Sequence, residues 1–297
     1  MNILITGASG FLGKHCLAQL LCEHKITTMS RKDSDILADI TKEVPNLQSF
    51  NLTIHCAGKA HSVPKTAMEK QAFFDVNLTG TANLLKGLEQ SEKLPESFVF
   101  ISTVAVYGIE SGEMITENHS LNAQDPYGLS KIQAEHLVQA WCAKNKVICS
   151  ILRLPLLLGE NPPGNLGAMI KGIKKGYYFD IAGGKAKKSM VLAEDVARII
   201  PIAAEIGGIY NLTDGYHPSF FELSNLISNQ LNKSSSINIP NWVAKPLGWI
   251  GDIVGNKFPI NSNKLQKITS DLTFDDSLAR QKLGWNPVPV LKGFKIS

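Results

Sequence analysis

The sequence predicts an α/β protein built on a doubly wound parallel sheet, with a smaller C-terminal unit interleaved with it. Three observations predict this. Strand-like and helix-like stretches alternate through the first half of the chain, as right-handed crossovers between parallel strands require. The run Phe98-Val99-Phe100-Ile101 is continuously apolar, as a strand buried on both faces should be. The chain also opens with a strand that runs straight into a glycine-rich turn and then a helix.

In order, Ile3 to Thr6 is a short β-branched run, and Phe11 to Cys22 repeats apolar residues at helical spacing. Extended stretches follow at Lys25 to Ser30, Leu52 to Ala57, Phe98 to Ser102 and Val147 to Leu152. Helical patterns lie between them at Glu69 to Glu89 and Tyr127 to Lys144. After Leu158 the alternation loosens. Gly159 to Gly167, rich in Gly, Pro and Asn, reads as a loop leading into a helix at Ala168 to Lys175. A strand near Ile209 to Leu212 returns to the sheet, and the chain from His217 onward reads as helices and loops. The aromatic-apolar stretch Trp242 to Val254 is too short to span a bilayer, and packing of the second unit accounts for it.

Bulk properties narrow the function. Of 297 residues, 44% are hydrophobic and 19% charged, which suits a sizeable core and argues against disorder. A net charge of +4, spread thinly along the chain, argues against nucleic acid and fits a small anionic substrate. The five cysteines (Cys16, Cys22, Cys56, Cys142 and Cys149) have no metal-ligand spacing and read as reduced thiols. No basic-then-apolar leader precedes the first strand, and no apolar run is long enough to cross a membrane, so a cytoplasmic location is expected.

The turn Thr6-Gly7-Ala8-Ser9-Gly10-Phe11-Leu12-Gly13 is the first chemical motif. Glycines there let the backbone approach a pyrophosphate, and the helix start at Phe11, Leu12 and Gly13 offers unpaired N–H groups and a positive dipole. Gly7, Ser9, Gly10, Phe11, Leu12 and Gly13 are therefore candidates for holding a dinucleotide. The next strand ends at Ser30-Arg31-Lys32, where an acidic residue would otherwise bind ribose hydroxyls. A guanidinium suits a 2′-phosphate, so Ser30 and Arg31 favour NADP(H) over NAD(H), with a solvated loop charge as the alternative role for Arg31. Ala57-Gly58 supplies small residues where backbone can pass close to the cofactor. His55 and His61 flank them without a metal partner at useful spacing, so no metal site is expected.

Tyr127 and Lys131 are four residues apart on a helix opened by Asp125-Pro126, which puts both on one face. An ammonium beside a phenol, with the positive charge of an oxidised nicotinamide, stabilises phenolate and fits Tyr127 for proton exchange. Thr103, at the end of the strand before that helix, can donate to the same substrate oxygen. Ser102 is better read as a strand-end hydroxyl capping backbone groups.

TGASGFLG, STVAVYG, PYGLSK and LRLPLLLG, in this order and at these separations, resemble the NAD-dependent epimerase/dehydratase family of extended short-chain dehydrogenases. FDDSLARQKLGW at Phe274 to Trp285 resembles that family's C-terminal signature, so the likeness covers nearly the whole chain. The resemblance implies a Rossmann domain at 1–158, with 184–213 belonging to it, and a substrate domain at 159–183 and 214–297. It implies Thr103, Tyr127 and Lys131 as the catalytic triad, Asp39 and Ile40 beside the adenine, and Pro155 at the nicotinamide end. It also implies that Asn165 and Lys188 bind the substrate diphosphate, Lys188 standing where the family commonly has Arg. Among relatives it points to nucleotide-sugar 4-epimerases and 4-keto-sugar reductases of surface-polysaccharide synthesis, acting as homodimers paired through the helices at Glu69 to Glu89 and Tyr127 to Lys144. Val104 and Ala105 stand where the family's dehydratases carry an Asp-Glu pair, which disfavours dehydration. A regulator that senses the cofactor without chemistry is the alternative, opposed by the retained Tyr and Lys.

Overall fold

The structure, a computed structural model, describes residues 1–60, 62–234, 236–254 and 262–296. The first part of the chain forms β1 (Asn2–Thr6), α1 (Phe11–Leu20), β2 (Lys25–Ser30), β3 (Ile36–Leu37), β4 (Leu52–His55), α2 (Ala67–Phe74), a π-helical turn (Asp75–Thr79), α3 (Gly80–Glu89) and β5 (Ser97–Thr103). A 3-10 turn (Val104–Tyr107), β6 (Gly112–Ile115), α4 (Pro126–Asn145), β7 (Ile148–Leu154), β8 (Leu156–Leu158), α5 (Gly164–Lys175) and β9 (Phe179–Ile181) follow. The remainder is β10 (Met190–Leu192), α6 (Ala193–Ile206), β11 (Gly208–Asn211), α7 (Phe220–Gln230), β12 (Ile237–Ile239), α8 (Asn241–Val254), α9 (Ser262–Thr269), β13 (Leu272–Phe274), α10 (Ser277–Leu283) and α11 (Val290–Gly293).

Seven strands form one parallel sheet in the order β3-β2-β1-β4-β5-β7-β11. The fold is the expected doubly wound Rossmann-like α/β architecture. From β1 the chain first moves outward through β2 and β3, then returns to lay β4 on the other side of β1. Consecutive connections therefore leave β1 and β4 in opposite directions, and the crevice beyond their carboxyl ends is where such sheets bind ligands.

Both faces of the sheet are covered. On one, Leu12, Cys16 and Leu20 of α1 and Val196, Ile199, Ile200 and Ala203 of α6 pack on Ile3, Ile5, Ile54 and Val99. On the other, Leu84 and Leu88 of α3 and Ala134, Val138 and Trp141 of α4 pack on Leu4, Phe98 and Phe100. A separate cluster joins Leu166, Met169 and Ile173 of α5 to Met190, Leu223, Ile227, Val290 and Phe294. The interleaving is concrete at the C-terminus, where Ala279, Leu283 and Trp285 enter the α1–α6 core and the Trp285 indole donates to the Thr213 carbonyl at 2.9 Å.

Several elements differ from expectation. The helix predicted over Glu69 to Glu89 begins two residues earlier and contains the π turn. The loop predicted through Gly167 is already helical from Gly164. Helix α6 was not anticipated, since Pro201 inside its apolar pattern argues locally against a helix, although tertiary packing overrides it. The stretch Trp242 to Val254 is helical, but its tryptophans are not packed: Trp242 is 77% exposed and Trp249 75%. Only Ala244 among the described side chains of α8 is buried, against Ile181 and Leu265.

Candidate active site

A cavity of about 800 Å³ lies at the carboxyl ends of β1, β2 and β4. Gly7, Ser9 and Gly10 line it from the first turn, Ser30, Arg31 and Lys32 from the second, Asp39 and Ile40 from the segment beyond β3, and Ala57 and Gly58 from the fourth strand. The glycines are sterically required. Gly7 has φ of +67°, and a Cβ there would lie 2.7 Å from Ala57 backbone atoms. A Cβ on Gly13 would lie 2.2 Å from the Gly7 carbonyl oxygen. Helix α1 starts at Phe11 with Gly10 as its N-cap, no capping side chain and no acidic residue in its first turn. Its free N–H groups and dipole suit a pyrophosphate, so the residues present fit a dinucleotide.

Two carboxylates near the β2 end are already engaged. Asp35 accepts from the Thr28 amide at 2.8 Å and hydroxyl at 2.7 Å, which holds its carboxyl below the usual range. Asp39 accepts from the Thr41 hydroxyl at 2.7 Å and lies 3.6 Å from the Lys42 ammonium. Arg31 and Lys32 are the cations of that wall.

A buried chain of hydrogen bonds fixes the β4 side. The Thr81 hydroxyl donates to the Asn77 carbonyl at 2.7 Å, so its oxygen is left to accept from His55 Nε2 at 2.9 Å. His55 Nδ1 then accepts from the Thr6 hydroxyl at 2.6 Å, and the Thr6 oxygen accepts from the Ala57 amide at 3.2 Å. This assigns the Nε2–H tautomer to His55 from its partners. Burial, with the nearby Lys131 amine, depresses the His55 pKa to about 3. Asn77, in the π turn, accepts from the Lys59 amide at 2.7 Å and donates to the Lys59 carbonyl and to Ser130 Oγ. The π turn thereby ties the cavity loop to α4, a role that π turns often have at functional sites. His61 lies outside the described residues, and among the described residues no cluster of His, Cys, Asp or Glu could hold a metal.

The second cavity, of about 470 Å³, opens at the carboxyl ends of β5 and β7. Thr103, Val104, Ala105, Leu154, Pro155 and Lys188 line it, joined by Lys267 of α9 and Glu110, which pair at 2.8 Å. Burial lowers the Lys188 amine from its ordinary value, with Asp271 and Glu110 opposing. Asn165 is not among the lining residues; it sits exposed on the first turn of α5, not in a loop.

Thr103 lines the second cavity and is hydrogen-bonded with Tyr127 of α4, while Tyr127 and Lys131 are not among the lining residues of either cavity. Asp125 caps α4, accepting from the Tyr127 and Gly128 amides at 3.1 and 3.0 Å, and so fixes where the Tyr127-to-Lys131 face begins. Burial raises the Tyr127 hydroxyl above the usual phenol range, with the Thr103 hydrogen bond opposing it. The lowering expected from Lys131 is not what the structure shows, because that amine donates to the Ile101 carbonyl at 2.6 Å and lies 3.8 Å from the Phe100 ring centroid. Its own pKa is drawn down to about 7 by burial, against the raising effect of Glu135. Ser102 does not cap backbone; its hydroxyl donates to Glu135, a buried carboxylate that Arg153 grips at 2.7 Å. The Arg153 guanidinium also donates to the Tyr107 hydroxyl at 3.1 Å, extending the network under the second cavity. Sequence reasoning missed Asn77, Glu135, Arg153 and Lys267. The first three carry local signals, in the segments around the helix patterns and in LRLP, but their partners are distant in sequence.

The model of the NAD dependent epimerase/dehydratase family matches residues 3–213. The chain is 27% identical over 92% of its length to N-acetyl-α-D-glucosaminyl-diphospho-ditrans,octacis-undecaprenol 4-epimerase of Escherichia coli O157:H7, covering 87% of that protein. It is 33% identical to GDP-6-deoxy-D-mannose reductase of Pseudomonas aeruginosa over 47% of each chain. In fold it matches UDP-glucose 4-epimerase of Thermotoga maritima with a TM-score of 0.77 at 20% identity, covering 99% of this chain and 96% of that one.

Proposed function

Because the chain belongs to the NAD-dependent epimerase/dehydratase family, we propose that it is an NAD(P)-dependent enzyme acting at carbon 4 of a nucleotide sugar. It works as a 4-epimerase or a 4-keto-sugar reductase, in the synthesis of a surface polysaccharide. The observation that carries this is the Tyr127 hydroxyl in hydrogen-bond reach of Thr103, which lines the second cavity, with Lys131 one turn further along α4. In this reading 1–158 and 184–213 hold the cofactor, and 159–183 and 214–297 bind the sugar carrier.

The nicotinamide, when bound, accepts or supplies the hydride at carbon 4. The Tyr127 hydroxyl exchanges the proton at the sugar oxygen, and the Thr103 hydroxyl donates a second hydrogen bond to it. For Lys131 to stabilise the phenolate that forms when Tyr127 gives up its proton, its amine has to be protonated and to turn from the Ile101 carbonyl toward Tyr127 when the cofactor binds. Val104 and Ala105 line the same cavity and can do no acid-base work, which opposes dehydration. Lys188 and Lys267 supply the positive charge for a diphosphate. Asn165 contributes from the α5 start only if that turn closes over a bound carrier.

Arg31 and Lys32 favour NADP(H) over NAD(H), and an exchangeable NADPH favours the reductase. The similarity to 4-epimerases supports the other chemistry. The deciding experiment incubates the purified chain with a panel of nucleotide sugars and of 4-keto nucleotide sugars, following products and NADPH absorbance together. Net NADPH oxidation with a keto-sugar identifies the reductase, and interconversion at carbon 4 without net oxidation identifies the epimerase. Intact cofactor binding with no turnover on either panel would overturn the reading.

A further inference from the structure

We propose that Glu135 is a positioning residue for the proton exchange: its buried carboxylate, clamped by Arg153 and Ser102, keeps Lys131 an ammonium and ties the strand of Thr103 to the helix of Tyr127. The inference rests on the carbon-4 reading for its effect on turnover. Tyr127, Lys131 and Glu135 follow one another at four-residue spacing, so they share one face of α4. Glu135 is fully buried, and Lys131, Ser102 and Arg153 are nearly so. A carboxylate in such a place needs partners, and this one has two. The Arg153 guanidinium donates through Nη2 to Oε2 at 2.7 Å and through Nε to both oxygens, at 3.2 and 3.3 Å. The Ser102 hydroxyl donates to Oε1. One carboxylate thus joins α4 to β5 and β7, the strands that end at Thr103 and Leu154, both of which line the second cavity.

Lys131 needs such a counter-charge. Burial favours its neutral form, and a neutral amine does not stabilise a phenolate. The groups around it act element by element. From α4 the Glu135 carboxylate raises the proton affinity of the amine, and from the end of β4 the Cys56 thiol acts in the same direction. His55 of β4, neutral with a pKa of about 3, adds no repelling charge. From β5 come the Ile101 carbonyl at 2.6 Å and the Phe100 ring centroid at 3.8 Å, both of which favour a cation. Of these groups Glu135, ion-paired with Arg153, brings the full negative charge. The carboxylate therefore does for Lys131 what Lys131 does for Tyr127: along one helix face, each ionised group favours ionisation of the next.

The test follows the Lys131 Cε resonance with pH by NMR in the full chain carrying carbon-13-labelled lysine, the resonance being assigned by its loss in Lys131→Met. In the parent the amine should titrate at about 7. In Glu135→Gln it should bind its proton at least about tenfold less tightly. That variant leaves the Arg153 charge buried alone, which can unfold the chain. Glu135→Gln/Arg153→Met removes both charges together and should shift the titration in the same direction, with circular dichroism confirming the fold. Turnover of the nucleotide sugar that the panel identifies gives a second readout. The alkaline limb of its pH profile should move to lower pH in the neutral variants, with turnover on the acid side retained, and Glu135→Asp should restore the limb. An unchanged Lys131 midpoint in the folded variants overturns the proposal, as does an even loss of turnover at every pH with the limb unmoved. The midpoint needs no substrate, so it decides the role of Glu135 even where the parent turns nothing over, a failure that would count against the carbon-4 reading alone.

Discussion

At the scale of single residues, Tyr127 bears the sharpest expectation. Tyr127→Phe keeps the ring that lies 6.0 Å from Phe73 and removes the exchangeable proton, so cofactor affinity should persist while turnover falls by about 10²–10⁴-fold. Near-normal turnover would end the proton-transfer assignment. Arg31→Ala should erase a preference for NADPH over NADH, measured by fluorescence titration, that a lost charge-assisted contact sets at about ten- to a hundredfold. His55 makes a prediction about pH. Its folded pKa is about 3 against an ordinary 6.5, so between those values the unfolded chain binds a proton that the folded chain refuses. Stability should therefore decline as pH falls from 6.5, with His217, also lowered by burial, adding in the same direction. Chemical denaturation of the parent and of His55→Gln at pH 7 and pH 5 checks this: the variant should lose less between the two. The positions of Thr103, Tyr127 and Lys131, at a strand end and on one helix at a four-residue spacing, were legible in the sequence because their signal is local. The His55 relay was not, because Thr6 and Thr81 come from 49 and 26 residues away.

At the scale of elements, long periodic segments were legible and short ones were not. β5 and α4 were anticipated to within a few residues, since a continuous apolar run and an Asp-Pro start are strong signals. β3 has two residues, and β8, β9, β10, β12 and β13 have three each, too few to show a period; tertiary pairing makes them strands. The glycine turn was legible as a motif, but which glycines are irreplaceable is a matter of contacts between elements. Gly13→Ala forces a methyl into the Gly7 carbonyl, and should cost about 1–3 kcal/mol of stability and weaken dinucleotide binding. Gly176, with φ of +79° but nothing within 4 Å, is the control: Gly176→Ala should cost about 1–2 kcal/mol from backbone strain alone and leave cofactor binding intact. Thermal unfolding with and without NADPH distinguishes the two, and equal cofactor affinity in both variants would remove Gly13 from the cradle.

At the scale of the whole molecule, the α2–α3 and α4 helices lie side by side over one face of the sheet and carry an outer polar surface that includes Gln133, His136 and Lys70. We propose that two copies pair through it. Light scattering at micromolar concentration should return twice the chain mass, and a monomer at that concentration would exclude this pairing. The parallel sheet was legible because strand-helix alternation dictates it, whereas the exposure of Trp242 and Trp249 was not, since an apolar stretch reads the same whether it faces a core or the outside. The placement of Trp285 has a consequence for biosynthesis. The core on the α1–α6 face contains Ile3 from the first strand and Trp285 from just after α10, so it is complete only once that later segment has been made. Until α10 and Trp285 emerge, the N-terminal strands keep part of their apolar surface uncovered. Chains cut short before α10 should consequently aggregate or be degraded instead of persisting as a free cofactor-binding fragment.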